Sequence, residues 1–189
     1  MTLSTKCCLD LFCGRGGWSK GFAEMGFDCT GVDIEEYGYP FKFIKADILD
    51  WLPDKKYDVV LSSPPCGQFS EILRNCAHPY DERIGLDLVH RTMYLIGIIK
   101  PKYWVLENVK GLAEFIDEPK DKIRYWKRTR KTAYLWGNFP SLGFFEQQIE
   151  FNSKIWHDKN DSGWRQWKTG VRGEIPIALS RQMAKAITQ

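Results

Sequence analysis

The feature that most limits how this chain can fold is an apolar run that ends in a cluster of glycines. Cys7-Cys8-Leu9-Asp10-Leu11-Phe12 leads at once into Cys13-Gly14-Arg15-Gly16-Gly17. A short, nearly continuous apolar run is the pattern of a strand covered on both faces, the usual state of a parallel strand. Glycines directly after it let the chain turn sharply and let a ligand approach the backbone. A helix beyond them opens with free N–H groups. The spacing predicts that helix over 18–25, with Gly26 as its stop.

The same rhythm continues. Strands are expected at 29–34, 43–46, 57–62, 103–106 and 132–136, and helices over 82–99, ahead of Pro101, and 175–187. Strands alternating with helices predict an α/β fold with a largely parallel sheet. Between the second and third strands only about eight residues intervene, whereas a parallel crossover normally takes a dozen or more. The helix expected there is therefore missing, and the fold is a pared-down version of its class.

Chemistry gathers where these strands end. Asp33 follows Gly17 by sixteen residues and closes the second strand, where a carboxylate can accept both ribose hydroxyls of a nucleoside cofactor. Asp47, after the third strand, can accept from an adenine amino group. Past the fourth strand comes Ser63-Pro64-Pro65-Cys66-Gly67-Gln68-Phe69-Ser70. A cysteine in a loop is ordinarily a packing residue, but one held by two prolines at a sheet's carboxyl edge is placed for attack. Glu107-Asn108-Val109 ends the fifth strand, after the apolar Tyr103-Trp104-Val105-Leu106. Glu107 is expected at the same edge as Cys66, where partial burial raises a carboxyl's pKa and suits it to proton donation.

Charge is uneven. From Lys120 to Arg172 there are 12 Lys or Arg against 5 Asp or Glu, although the whole chain is only +3. Trp126, Trp136, Trp156, Trp164 and Trp167 lie in that stretch. Basic groups neutralise phosphates and aromatic faces stack on unpaired bases, so nucleic-acid contact is one reading; a solvated basic face with core tryptophans is the other. The six cysteines form no C-x-x-C pair and there are three histidines, so no structural metal is expected. Cys7, Cys8 and Cys29 fall in predicted strands as small core residues. No apolar run approaches a membrane span and no signal h-region opens the chain, which predicts an intracellular protein with reduced thiols.

Taken in order, these pieces resemble the DNA (cytosine-5) methyltransferase family. Residues 10–17, Asp-Leu-Phe-Cys-Gly-Arg-Gly-Gly, are similar to its first cofactor motif. Pro65-Cys66 with Phe69-Ser70 is similar to its nucleophile motif, and Glu107-Asn108-Val109 to its glutamate motif. Arg172-Gly173-Glu174-Ile175-Pro176 resembles its closing motif more loosely.

The resemblance implies a Rossmann-like S-adenosylmethionine-dependent methyltransferase sheet with a small inserted recognition segment. It divides the chain into a catalytic and cofactor-binding part (1–137), a recognition segment (138–172) and a returning C-terminal helix (173–189). It implies that Cys66 attacks C6 of cytosine, that Glu107 assists at N3, and that Phe12, Gly14, Gly16, Gly17, Asp33, Ile34, Asp47, Ile48 and Pro65 line the cofactor. The partner it implies is double-stranded DNA whose target base is flipped out of the stack. RNA, as in the related transfer-RNA methyltransferases, is the alternative substrate, and an inert binding protein a third reading.

Some positions depart from the family pattern. Gly67 stands where the family usually has Gln, and Glu174 where it tends to have Asn; an acid is unwelcome beside the cofactor's carboxylate, so Glu174 is expected to point away. Trp126-Lys127-Arg128-Thr129-Arg130-Lys131-Thr132 offers Arg128 with Arg130, or Arg130 with Thr132, for the arginine motif. Arg130 is favoured as a contact to the target base or its sugar. The gap that usually holds a sizeable recognition domain contains only Asn138 to Arg172. Reading several base pairs takes several positioned side chains in the groove. Recognition is therefore expected to be relaxed or very short, or supplied by a protein partner or a second subunit. Mapping methylation across random-sequence duplexes tests this: short or degenerate target contexts are expected, and a strict six-base-pair site would contradict it.

Overall fold

The computed structural model describes residues 5–70, 81–126, 131–142 and 174–189. In chain order the elements are β1 (Cys7–Leu11), α1 (Gly17–Glu24), β2 (Asp28–Asp33), β3 (Lys42–Lys45), β4 (Val59–Ser62), α2 (Glu82–Ile99), β5 (Tyr103–Asn108), β6 (Asp121–Trp126), β7 (Lys131–Asn138) and α3 (Ile177–Thr188). Short 3-10 turns follow β4 (Gly67–Phe69) and β5 (Lys110–Glu114). The seven strands form one sheet in the order β3-β2-β1-β4-β5-β7-β6. The first five run parallel; β7 is antiparallel to both β5 and β6.

The pleat sorts the strand residues onto two apolar faces. Cys8, Cys29, Val59, Leu61, Val105 and Leu135 face α1 and α3, where they meet Trp18, Phe22, Leu179 and Met183. Leu9, Leu11, Val32 and Val60 face the opposite way, toward Leu95, Ile96 and Ile99 of α2. Both faces of the central strands are covered, as the continuous apolar runs require.

Most elements match expectation, and the differences have physical reasons. α2 runs over the residues the periodicity indicates and is capped by Asp81, whose side chain accepts from the Arg83 amide. β5 continues two residues further than predicted, so Glu107 and Asn108 are paired strand residues opposite Leu135 and Tyr134. β6 was not expected at all. It is an edge strand in which Ile123 is buried while Lys122 and Arg124 are exposed, a polar alternation that reads as a basic surface run. The strand expected at 132–136 is consequently the seventh.

The short β2–β3 connection, residues 34–41, carries no helix, as the spacing required. The β3–β4 connection has none either. Side chains take over the fastening. Arg91 of α2 donates from Nε to the Ile48 carbonyl (2.9 Å) and from Nη2 to the Trp51 carbonyl (2.8 Å), tying down the turn after β3.

α3 returns to lie on α1. The Ser180 hydroxyl donates to the Trp18 carbonyl and Arg181 pairs with Glu24. Gly21 permits this approach, since a Cβ there would overlap the Arg181 amide and the Ser180 hydroxyl. Gly97, on the open side of α2, has nothing within 4 Å of the corresponding position. The two glycines should therefore respond oppositely to alanine. Gly21→Ala is expected to lower the thermal midpoint by about 4–8 °C through overpacking. Gly97→Ala is expected to raise stability by about 0.5–1 kcal/mol through helix propensity. Thermal unfolding of both variants checks the pair.

Candidate active site

Parallel pairing brings the chemically interesting residues to one edge. Leu11 lies opposite Val32 on one side and Ser62 on the other, Asp33 opposite Lys45, and Ser62 opposite Leu106. The residues just beyond these positions are Phe12, Asp47, Ser63 and Glu107. The strand order reverses between β1 and β4, and ligands of open α/β sheets bind in the crevice at such a reversal.

The turn after β1 is tightly wound. Phe12 (φ 59°), Gly14 (φ 49°) and Gly16 (φ 78°) all take left-handed backbone. A bulky residue at positive φ persists only where its surroundings hold it. The Cys13 amide donates to the Val32 carbonyl (3.2 Å), the Gly14 amide to Asp33 Oδ2 (2.9 Å), and the Gly16 amide to the Cys13 carbonyl (2.7 Å). The expected cofactor glycines differ in surroundings. A Cβ at Gly14 would meet nothing within 4 Å, so this position faces open space. At Gly16 it would lie 3.2 Å from the Tyr39 ring and Pro40, and at Gly17 2.7 Å from the Ile175 backbone.

Room and hydrogen-bond acceptors of the kind an adenosine would need lie here. Asp33 presents its carboxylate at the end of β2, and Ile34 beside it is 58% exposed despite being aliphatic. Asp47 Oδ1 accepts the Leu49 amide (2.9 Å), which orients the side chain at the end of β3. An open glycine, a carboxylate and an exposed aliphatic at one sheet edge fit a nucleoside cofactor. Ile48 is placed differently from the expectation: it is 5% exposed and packs among core residues with Val60 and Leu95.

The Cys66 loop is fastened to both neighbouring strands. The Ser63 amide donates to the Leu11 carbonyl (3.3 Å), and Trp18 Nε1 donates to the Ser63 hydroxyl (3.0 Å). On the other side, Asn108 Nδ2 donates to the Pro64 carbonyl (3.1 Å) while Asn108 Oδ1 accepts the Val109 amide (2.9 Å). Pro64 is buried, whereas Pro65 and Cys66 are exposed. Beyond Cys66, the Phe69 amide donates to its carbonyl (3.1 Å), and the fully buried Phe69 ring packs with Leu106 and Leu112. Glu107 is half-buried in β5, on the same side of the pleat as Val105. The fastened loop after β4 and the end of β5 thus bring an exposed thiol and a half-buried carboxyl to the same edge of the sheet.

Arg128 and Arg130 lie outside the described residues, as do Trp156, Trp164 and Trp167. Trp136 is a core residue, 6% exposed, with its indole N–H on the Asp117 carbonyl. Glu174 points toward α1 and forms an ion pair with Lys20 (2.7 Å).

Sequence reasoning missed the polar support beneath the turn. Asp10, 2% exposed, accepts the Ser19 hydroxyl at Oδ2 (2.6 Å), and Ser19 Oγ in turn meets the Tyr39 hydroxyl (2.6 Å). Burial pushes the Asp10 carboxyl up to about 7, and the nearby Asp33 adds to the shift, against the lowering effect of Ser19. An acid inside an otherwise apolar strand was the available signal for Asp10. Tyr39, in a connection with no period, offered none.

Residues 7–128 match the family of C-5 cytosine-specific DNA methylases. Type II methyltransferase M.XorII of Xanthomonas oryzae pv. oryzae is 35% identical over 123 residues, covering 55% of this chain and 28% of that protein. The Frog virus 3 protein named "Probable DNA (cytosine-5)-methyltransferase" is 31% identical over 128 residues, covering 58% of each chain. The matched stretch thus spans less than two-thirds of either relative. Among solved structures, the tRNA (uracil-54, C5)-methyltransferase of Pyrococcus abyssi, in complex with S-adenosyl-L-homocysteine, gives a TM-score of 0.46 at 17% identity, covering 71% of this chain and 34% of that one.

The buried Asp10 carboxyl makes stability depend on pH. Its folded pKa lies above the ordinary value, so the native state binds this proton more tightly than the unfolded chain does. Its contribution to stability is full below the unfolded pKa and is lost as pH rises through the folded one. Asp33, Cys8, Cys13, Ser19 and Tyr39 are among the polar groups around it. Relative to Asp10→Asn, the wild type is expected to gain about 2–3 kcal/mol of unfolding free energy between pH 8 and pH 5. Denaturant unfolding at both pH values checks this, and parallel pH profiles would contradict it.

Proposed function

The chain belongs to the C-5 cytosine-specific DNA methylase family, and we propose that it transfers a methyl group from S-adenosylmethionine to C5 of cytosine in DNA through a covalent Cys66 adduct. The observation that carries this reading is the double fastening of the Cys66 loop. Trp18 ties Ser63 to the helix of the glycine turn, and Asn108 ties Pro64 to the strand of Glu107. Cofactor turn, nucleophile and acid are thereby held in one frame, the preorganisation such a reaction demands.

The cofactor bound at this edge supplies an electrophilic methyl on a sulfonium. Asp33 accepts from its ribose hydroxyls, Asp47 from its adenine amino group, and Ile34 covers the base. Phe12, Gly14 and Pro65 line the remainder. Cys66, as thiolate, adds to C6 of the cytosine ring while Glu107 donates a proton at N3, so that the C5=C6 electrons become available at C5. C5 takes the methyl as its bond to the sulfonium breaks, the electron pair staying on sulfur and S-adenosylhomocysteine leaving. A base then removes the C5 proton, the electron pair re-forms C5=C6, the Cys66 sulfur leaves with its electrons, and the N3 proton returns to the Glu107 carboxylate. Arg130 contacts the target base or its sugar. A cytosine inside a duplex cannot meet the thiol, so the base is flipped out first.

Trapping tests the reading. The protein is incubated with S-adenosylmethionine and 5-fluorocytosine in duplex DNA, single-stranded DNA or transfer RNA, then denatured. Fluorine at C5 blocks the final elimination, so the duplex is expected to retain a denaturation-resistant adduct that Cys66→Ser abolishes. An adduct with transfer RNA alone would move the activity to RNA. No adduct with any substrate would indicate an inert binding protein, and an adduct surviving Cys66→Ser would overturn the role of Cys66.

A further inference from the structure

The β2–β3 connection is where this chain departs most from a full crossover, and Tyr39 is its anchor. Across residues 34–41, the neighbours from Ile34 to Gly38 and Pro40 are exposed, whereas Tyr39 is 7% exposed. Its ring lies over β2 at Gly31, where a Cβ would come within 2.6 Å of Tyr39 Cζ. It also backs Gly16 of the cofactor turn and meets the rings of Phe41 (5.6 Å) and Phe43 (6.2 Å).

Its hydroxyl extends the contact into a polar chain. The Ser19 hydroxyl has one hydrogen and gives it to Asp10 Oδ2 (2.6 Å). Its oxygen is then the acceptor of the Tyr39 O–H (2.6 Å). The chain joins β1, the first turn of α1 and the β2–β3 connection, which are three walls around residues 13–17. Phe12, which leads into that turn, holds left-handed backbone, and such strain in a bulky residue lasts only where the surroundings over-determine it.

We propose that Tyr39 is a positioning residue for the cofactor: through Ser19 and Asp10 it holds the glycine turn in its binding shape, a role a crossover helix would otherwise fill. The inference rests on the methyltransferase reading for the identity of the cofactor. Tyr39 acts through the turn and does not itself bind the ligand.

Tyr39→Phe keeps the ring and removes the hydroxyl, so packing and positioning separate. The thermal midpoint should stay within about 3 °C of wild type, as for the loss of one hydrogen bond. The KM for S-adenosylmethionine should rise about tenfold with kcat changed less than about twofold, because uniform binding and not the chemical step is affected. In the ligand-free protein, amide hydrogen exchange at residues 13–19 should quicken about tenfold while β4 and α2 keep their protection. Ser19→Ala should produce the same pattern, and the double variant should be no worse than either single one. Wild-type exchange and KM in Tyr39→Phe would overturn the proposal. So would faster exchange across the whole sheet with activity falling only in proportion to folded protein, which is a purely structural role. Calorimetry of the wild type with S-adenosylhomocysteine separates the two readings. Absence of binding there would refute the cofactor assignment, and the exchange comparison would still decide whether Tyr39 holds the turn.

Discussion

The parallel pairing of β1 between β2 and β4 governs the rest of the molecule. Because all three strands point the same way, whatever follows each of them arrives at one edge. Because β2 and β4 lie on opposite sides of β1, the chain departs in two directions from that edge and leaves a crevice between. The glycine turn fills one wall of it and the Cys66 loop the other. Nothing in the chemistry of a thiol or a carboxylate alone would assemble them. The hydrogen bonds from Trp18 to Ser63 and from Asn108 to Pro64 then convert proximity into fixed geometry.

Two crossovers have been reduced to short connections, and single side chains hold what helices hold elsewhere. Tyr39 fills the space above β2, and the Arg91 guanidinium gathers two carbonyls of the turn after β3. On α2, Met93, Tyr94 and Ile98 are exposed, 41%, 55% and 43% respectively. The short connections concentrate structural responsibility in few atoms. A helix distributes its hold over many contacts, whereas the Tyr39 hydroxyl is one atom with one principal partner.

How much of this was legible in the sequence follows from periodicity. β1, the glycine turn, α2 and α3 carry strong local patterns, and their positions could be read directly. So could the missing helix between β2 and β3, since eight residues cannot cross over and form one. β6 could not, because an edge strand with one buried face and charges on the other resembles an ordinary basic surface run. For the site, Cys66, Glu107, Asp33 and Asp47 were visible as polar residues at strand ends. Asn108 stood in plain view beside Glu107, but its role depends on a carbonyl 44 positions away in the chain. Ile48 illustrates the opposite limit: a position matched by motif can still be claimed by the core, because its neighbours Val60 and Leu95 come from elements remote in sequence.

The return of α3 onto α1 has a consequence for biosynthesis. Trp18 and Phe22 emerge from the ribosome early, yet the residues that cover them, Leu179 and Met183 among them, come more than 150 positions later. At roughly 5–20 residues per second, the growing chain carries an uncovered aromatic surface for many seconds before the helix that shields it exists. The glycine turn leads straight into that same helix α1. Until α3 has been translated, the core face of α1 lacks the cover that Leu179 and Met183 provide.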